Sequence, residues 1–169
     1  MIKAIVVMGV SGSGKTTVAR LLATRLGWDF AEADEFHSAA NIGKMRSGVP
    51  LTDEDRAPWL ASIAKHIDQA IATDSPVVVT CSALKRRYRD VLIGTRKDVA
   101  LVYLKGDFAT IEARLRERTH AYMPVSLLKS QFDALEEPAP EERAIVLDIG
   151  RRPEEMVEAA MTGKHGILS

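Results

Sequence analysis

One cysteine, Cys81, is all the sequence holds, so no internal disulfide can form and nothing points to an oxidising compartment. Charge of neither sign is in excess. The 23 basic side chains meet 23 acidic ones, whereas a nucleic-acid binder would carry a basic surplus. No apolar run approaches the length of a membrane span. The amino terminus passes through residues 2–8 into a glycine loop, too short and too soon broken for a signal peptide. No repeat, low-complexity tract or linker divides the chain. These absences predict a cytoplasmic protein folded as a single domain over residues 1–169, with neither nucleic acid nor membrane as partner.

What is present is alternation. Apolar runs of strand type at 2–8, 28–33, 76–81, 99–104 and 144–149 are separated by segments of helical period. The central runs are almost continuous in Val, Ile and Leu, as strands covered on both faces must be. Val18, Leu21, Leu22 and Leu26 form one helical stripe ended by Gly27. Leu60, Ile63, Ala64, Ile67 and Ile71 form another, preceded by Thr52 with Asp55 three residues on, close to a capping box. Further helices are predicted over 85–93, 108–118, 125–135 and 153–162. The pattern is that of βαβ units: an α/β fold with a parallel sheet and helices on both faces.

The sharpest signal is Gly9-Val10-Ser11-Gly12-Ser13-Gly14-Lys15-Thr16, which satisfies G-x-x-x-x-G-K-[ST] after a strand and at the start of an amphipathic helix. Glycines let the backbone wrap so that successive N–H groups point at phosphate oxygens, and the helix start adds its positive end. Gly9, Ser11, Gly12, Ser13, Gly14, Lys15, Thr16 and Thr17 are therefore the expected nucleotide-binding residues. Lys15 is the catalytic cation at the β- and γ-phosphates of ATP, and Thr16 a ligand of Mg²⁺. The second strand ends in Glu32-Ala33-Asp34, at the edge where open α/β sheets bind ligands. Asp34 is placed to take the proton of an attacking hydroxyl, and Glu32 to hold the metal's water. Turn and cap roles for both acids stay open by position alone.

Residues 41–60, Asn-Ile-Gly-Lys-Met-Arg-Ser-Gly-Val-Pro-Leu-Thr-Asp-Glu-Asp-Arg-Ala-Pro-Trp-Leu, follow an acidic pair and His37. This run resembles the gluconokinase family, thermoresistant type, with its pattern N-x-x-K-M-x-x-G-x-P-L-x-D-x-D-R-x-P-W-L. The likeness extends through 81–90, 103–108 and 127–136, covering roughly residues 4 to 149. It implies ATP-dependent phosphorylation of D-gluconate at its terminal hydroxyl and a P-loop kinase fold of strand order 2-3-1-4-5. It also implies frequent homodimers.

A sugar acid needs a cation for its carboxylate and several hydrogen-bonding groups. Asp34 and His37 match the family's motif, Arg56 lies where related small-acid kinases bind a carboxylate, and Lys85 and Arg89 are four apart on one expected helix face. For Arg56, an ion pair with Asp53 or Asp55 is the alternative. A mobile basic lid is expected over about 114–126, with Arg114 and Arg118 reaching the phosphates and Arg118 acting catalytically.

Three positions depart from the family: Glu32 where Asp is usual, Ser38 where Pro is common, and 119–124 where a glycine-histidine-phenylalanine run precedes Met-Pro. Shikimate kinases call for a glycine-rich turn where this chain has Cys81-Ser82-Ala83, and no acceptor-base motif of a nucleotide kinase is present. A nucleotide-sensing module without catalysis is opposed by intact Lys15, Thr16 and Asp34.

Overall fold

The structure, a computed structural model, describes residues 1–117 and 125–168. Its elements are β1 (Ala4–Met8), α1 (Lys15–Leu26), β2 (Asp29–Glu32), a 3₁₀ turn (Ala33–Phe36), α2 (Ala39–Arg46), α3 (Asp53–Ala72) and β3 (Val77–Thr80). There follow α4 (Arg86–Leu92), β4 (Val99–Lys105), α5 (Phe108–Glu117), α6 (Val125–Ala134), a second 3₁₀ turn (Pro140–Glu142), β5 (Ile145–Asp148) and α7 (Pro153–Thr162). All strand pairs are parallel, in the order β2-β3-β1-β4-β5. The expected fold class is thereby found.

β1 is central, and its five residues are fully buried because neighbours in sequence serve opposite faces. Ala4, Val6 and Met8 join Val77 and Val79 against Leu60, Ile63 and Ile67 of α3 and Leu92 of α4. Ile5 and Val7 join Val102 and Leu104 against Val18 and Leu22 of α1, Ile111 of α5, Leu128 of α6 and Val157 of α7. Two cores thus lie back to back across one sheet. Among the described residues no helix is long and apolar enough to cross a membrane.

Local signals set the helix ends. Gly27 caps α1 with φ +68°, as its place in the sequence predicts. The capping box of α3 is complete with Asp55 in the role usual for Glu. Its carboxylate accepts from Thr52 N–H at 3.0 Å, and its own N–H donates to Thr52 Oγ1 at 3.1 Å. Helix α2 was not expected, since its apolar residues form no clear stripe and Gly43 interrupts it. Ser38 starts it, its Oγ accepting the Asn41 N–H at 3.1 Å.

Candidate active site

The glycine loop leaves the carboxyl end of β1 and turns into α1. Gly12 and Gly14 hold φ of +83° and +92°, values that side chains resist. A Cβ on Gly12 would lie 2.9 Å from Leu115, so this glycine also admits α5 against the loop. A Cβ on Gly14 would meet nothing within 4 Å. The start of α1 has no side-chain cap and no acid in its first turn, so no negative side chain there opposes an anion. The Ser13 side chain is buried, and its Oγ has no hydrogen-bond partner among the described residues. An orphaned buried hydroxyl in a ring of backbone donors suits a phosphate group.

Lys15 folds back over the loop, Nζ donating to Gly9 O at 3.0 Å and Val10 O at 3.1 Å. Thr16 Oγ1 donates to Glu32 Oε1 at 2.7 Å, and Thr80 Oγ1 donates to Glu32 Oε2 at 2.6 Å. Glu32 and Thr80 are register partners in β2 and β3, so strand pairing presets this chain of groups. The two predicted metal-site residues are therefore in contact, through oxygen atoms that suit a hard cation such as Mg²⁺. Thr80 was not singled out from the sequence. Its signal was a hydroxyl closing an otherwise all-valine strand at the functional edge.

Beyond β2 the 3₁₀ turn carries Asp34, exposed, and delivers His37. Trp59 Nε1 donates to Ala33 O at 2.7 Å and fixes the turn to α3. The His37 ring stacks on Trp59 with centroids 4.2 Å apart. Asn41 Nδ2 donates to Asp55 O at 2.9 Å and lies 3.4 Å from His37 Nδ1. Burial pushes the His37 pKa down, the Asp34 charge pushes it up, and the Arg56 charge lowers it again. Asp34 and Arg56 thus both act on His37.

Arg56 makes neither of the ion pairs offered as its alternative. Its Nη1 donates to Leu51 O at 2.8 Å and to Tyr88 Oη at 3.4 Å. Lys44 takes both oxygens of Asp55, at 2.8 and 2.9 Å, and this hydrogen bond, with that from Thr52, holds its pKa at about 2. Asp53 is engaged by Tyr88, Arg87 and, at 3.7 Å, Lys85. Arg56, Lys85 and Arg87 all lie within 6 Å of the Tyr88 ring centre, at 5.7, 5.8 and 5.7 Å. Arg87, more than half exposed, borders this cluster from the solvent side.

Two expectations are corrected. Lys85 and Arg89 share no helix face, because Lys85 is the residue before α4. Arg89 is 2% exposed, with Nε and Nη2 on Glu142 at 2.6 and 3.2 Å and Nη1 on the carbonyls of Ala83 and Leu84. Its donors are spent inside the protein, not on a ligand. Arg114 donates to Ile149 O, at the end of β5. Arg118, and most of the segment expected to form a lid, lies outside the described residues. Cys81, fully buried, has its thiol pushed up to about 12 by desolvation and is no nucleophile at neutral pH.

A contact the sequence did not disclose involves Gln131 of α6. Its Oε1 accepts the Ser11 N–H at 2.8 Å, and its Nε2 donates to Ser11 Oγ at 3.0 Å.

The family described as AAA domain matches residues 5–138. A gluconokinase of Gluconobacter oxydans is 46% identical over 91% of this chain and 86% of its own length. A probable gluconokinase of Mus musculus is 43% identical over 93% of this chain and 95% of its own. The crystal structure of a gluconokinase from Sinorhizobium meliloti superposes with a TM-score of 0.83 at 45% identity, covering 92% of this chain and 87% of that one.

Proposed function

We infer the chemistry of the site from one premise: the chain belongs to the gluconokinase family. It is an ATP-dependent kinase that phosphorylates D-gluconate, giving 6-phospho-D-gluconate and ADP. The observation that carries the assignment of roles is the contact between Thr16 and Glu32, which joins the phosphate loop to the strand that presents Asp34.

In this reading the amides of residues 12–16 and the Ser13 hydroxyl hold the triphosphate, with Gly9, Ser11 and Thr17 shaping the loop around it. Lys15 leaves its loop carbonyls for the β- and γ-phosphates, where its charge offsets what develops in transfer. Thr16 and Glu32 hold Mg²⁺, which when bound neutralises phosphate charge. Arg56 receives the sugar-acid carboxylate, helped by Lys85, and His37 and Asp34 bind its hydroxyls. The terminal hydroxyl oxygen of gluconate bonds to the γ-phosphorus as the bond to the ADP oxygen breaks, and its proton passes to Asp34. Arg114 and Arg118 supply further positive charge once Arg114 releases Ile149 O. The enzyme works in the cytoplasm on a small-molecule acceptor, and family kinship favours a homodimer.

The test is ADP release with Mg-ATP across gluconate, shikimate, glycerate and nucleoside monophosphates. Gluconate should give the highest kcat/KM. Preference for another acceptor overturns the reading.

A further inference from the structure

The phosphate loop is glycine-rich, and its ends are fixed by β1 and α1. Among the described residues, the side chain from outside that hydrogen-bonds to its middle is Gln131. Ser11 N–H can only donate, so the Gln131 amide must face it with Oε1, and Nε2 is then turned to the Ser11 hydroxyl. Both ends of the amide are used and no charge is added beside an anion site. A glutamate here would make the same first bond but would repel phosphate.

Gln131 stands on a helix anchored at both ends of its contact surface. Leu128 is buried in the core, and Phe132 meets Phe108 of α5 edge-on at 5.4 Å. Just past the helix, Glu136 N–H donates to Leu84 O at 2.8 Å, and Glu136 Oε1 accepts the Arg86 N–H, also at 2.8 Å. That second bond satisfies a free N–H at the start of α4, beside Lys85 and the Tyr88 cluster. One short segment therefore grips the phosphate loop at Ser11 and the acceptor-side helix at Arg86.

We propose that Gln131 is a positioning residue for phosphoryl transfer, and that with Glu136 it makes α6 a brace fixing the phosphate loop relative to the acceptor-side start of α4. The proposal rests on the kinase reading above. In-line transfer tolerates little misplacement, and a shift near 1 Å costs on the order of 10²-fold in rate. Looseness between donor and acceptor should also let water compete for the γ-phosphoryl.

The experiment compares the full-length protein with Gln131→Leu, similar in size and helix-compatible but unable to hydrogen-bond, and with Gln131→Glu. For Gln131→Leu we expect a fall in kcat of roughly tenfold or more, more ADP formed than 6-phosphogluconate, and little change in Tm. Hydrogen exchange should quicken at both the Ser11 and the Arg86 amides. Gln131→Glu should keep the exchange protection and lie nearer wild type in kcat, with a raised KM for ATP. Unchanged kcat and coupling in Gln131→Leu would overturn the proposal. So would a lowered KM for ATP at unchanged kcat, which would make Gln131 a mere competitor for the loop amide. Should Gln131→Leu fail to fold, Glu136→Ala carries the test: uncoupled hydrolysis with quickened exchange at the Arg86 amide supports the brace, and tight coupling sinks it. If the wild type itself turns over no gluconate, the kinase reading fails, and exchange at the two amides still decides the brace.

Discussion

The imidazole of His37 lies almost parallel to the indole of Trp59, the two planes 11° apart. Stacking of this kind removes one ring face from water, and burial favours the neutral imidazole. Burial is the largest cause of the lowered pKa, with Asp34 opposing it and Arg56 adding to it. Because the folded value is depressed, His37 is neutral in both folded and unfolded chains at neutral pH, and its contribution to stability is intact there. As pH falls through the ordinary histidine range the unfolded chain takes up the proton first, so stability declines. We expect NMR titration to place His37 below its value in the urea-unfolded chain, and His37→Phe to flatten the stability profile in that window. A His37 midpoint at or above the unfolded one contradicts this.

Asp34→Asn keeps the size of the side chain and removes its ability to take a proton. Loss of general-base help lowers kcat by roughly 10²–10⁴-fold, with a much smaller change in ATP affinity. Lys15→Ala removes charge from the β- and γ-phosphates and should abolish turnover. Steady-state kinetics with nucleotide binding by calorimetry separate the two. If Asp34→Asn weakens ATP more than it slows turnover, Asp34 belongs to the metal or the scaffold.

Glu32 is held between the hydroxyls of Thr16 and Thr80, so its carboxylate is oriented before any cation arrives. Glu32→Ala should raise the Mg²⁺ concentration for half-maximal rate by roughly 10–100-fold. Thr80→Val, which removes only the orienting bond, should give a smaller shift in the same direction. Glu32→Asp, the residue usual in the family, should restore most of the response. A Mg²⁺ titration that does not move in Glu32→Ala removes the residue from the metal site.

Strand runs and stripes were legible because a parallel sheet buried on both faces forces near-continuous apolar sequence. The phosphate loop was legible because its backbone shape demands glycines at fixed spacing. What escaped depended on which charges meet across the fold. Arg89 and Lys85 are four apart in sequence, yet Lys85 precedes the helix and Arg89 is interior, paired with Glu142 of the 3₁₀ turn before β5. Gln131 lies inside the 127–136 stretch of the family likeness without a role of its own there, because a hydrogen bond across 120 residues leaves no periodic trace. Helix α2 escaped for want of an apolar stripe, even though Ser38, noted as a family departure, was its cap.

Arg89 and Glu142 form the interior ion pair that ties α4 to the turn before β5, at 2% and 10% side-chain exposure. Burial alone would raise the Glu142 pKa, but the bonds from Arg89 and the Ala139 N–H hold it below the usual range. Glu142→Ala leaves a desolvated guanidinium with only two carbonyls for company, and removing one partner of a buried pair costs about 3–5 kcal/mol. The double variant Arg89→Leu with Glu142→Leu strands no charge, so it should lose less than Glu142→Ala alone. Because the depressed carboxyl binds its proton more readily when unfolded, the wild-type contribution is complete at neutral pH and fades as acid drives the folded group to protonate. Urea unfolding of the three proteins at neutral and acid pH reads both effects. Gluconate KM in Glu142→Gln, which keeps an acceptor for Arg89, should stay near wild type, since Arg89 faces the core. A large rise in that KM with unfolding stability unchanged would return Arg89 to the substrate site.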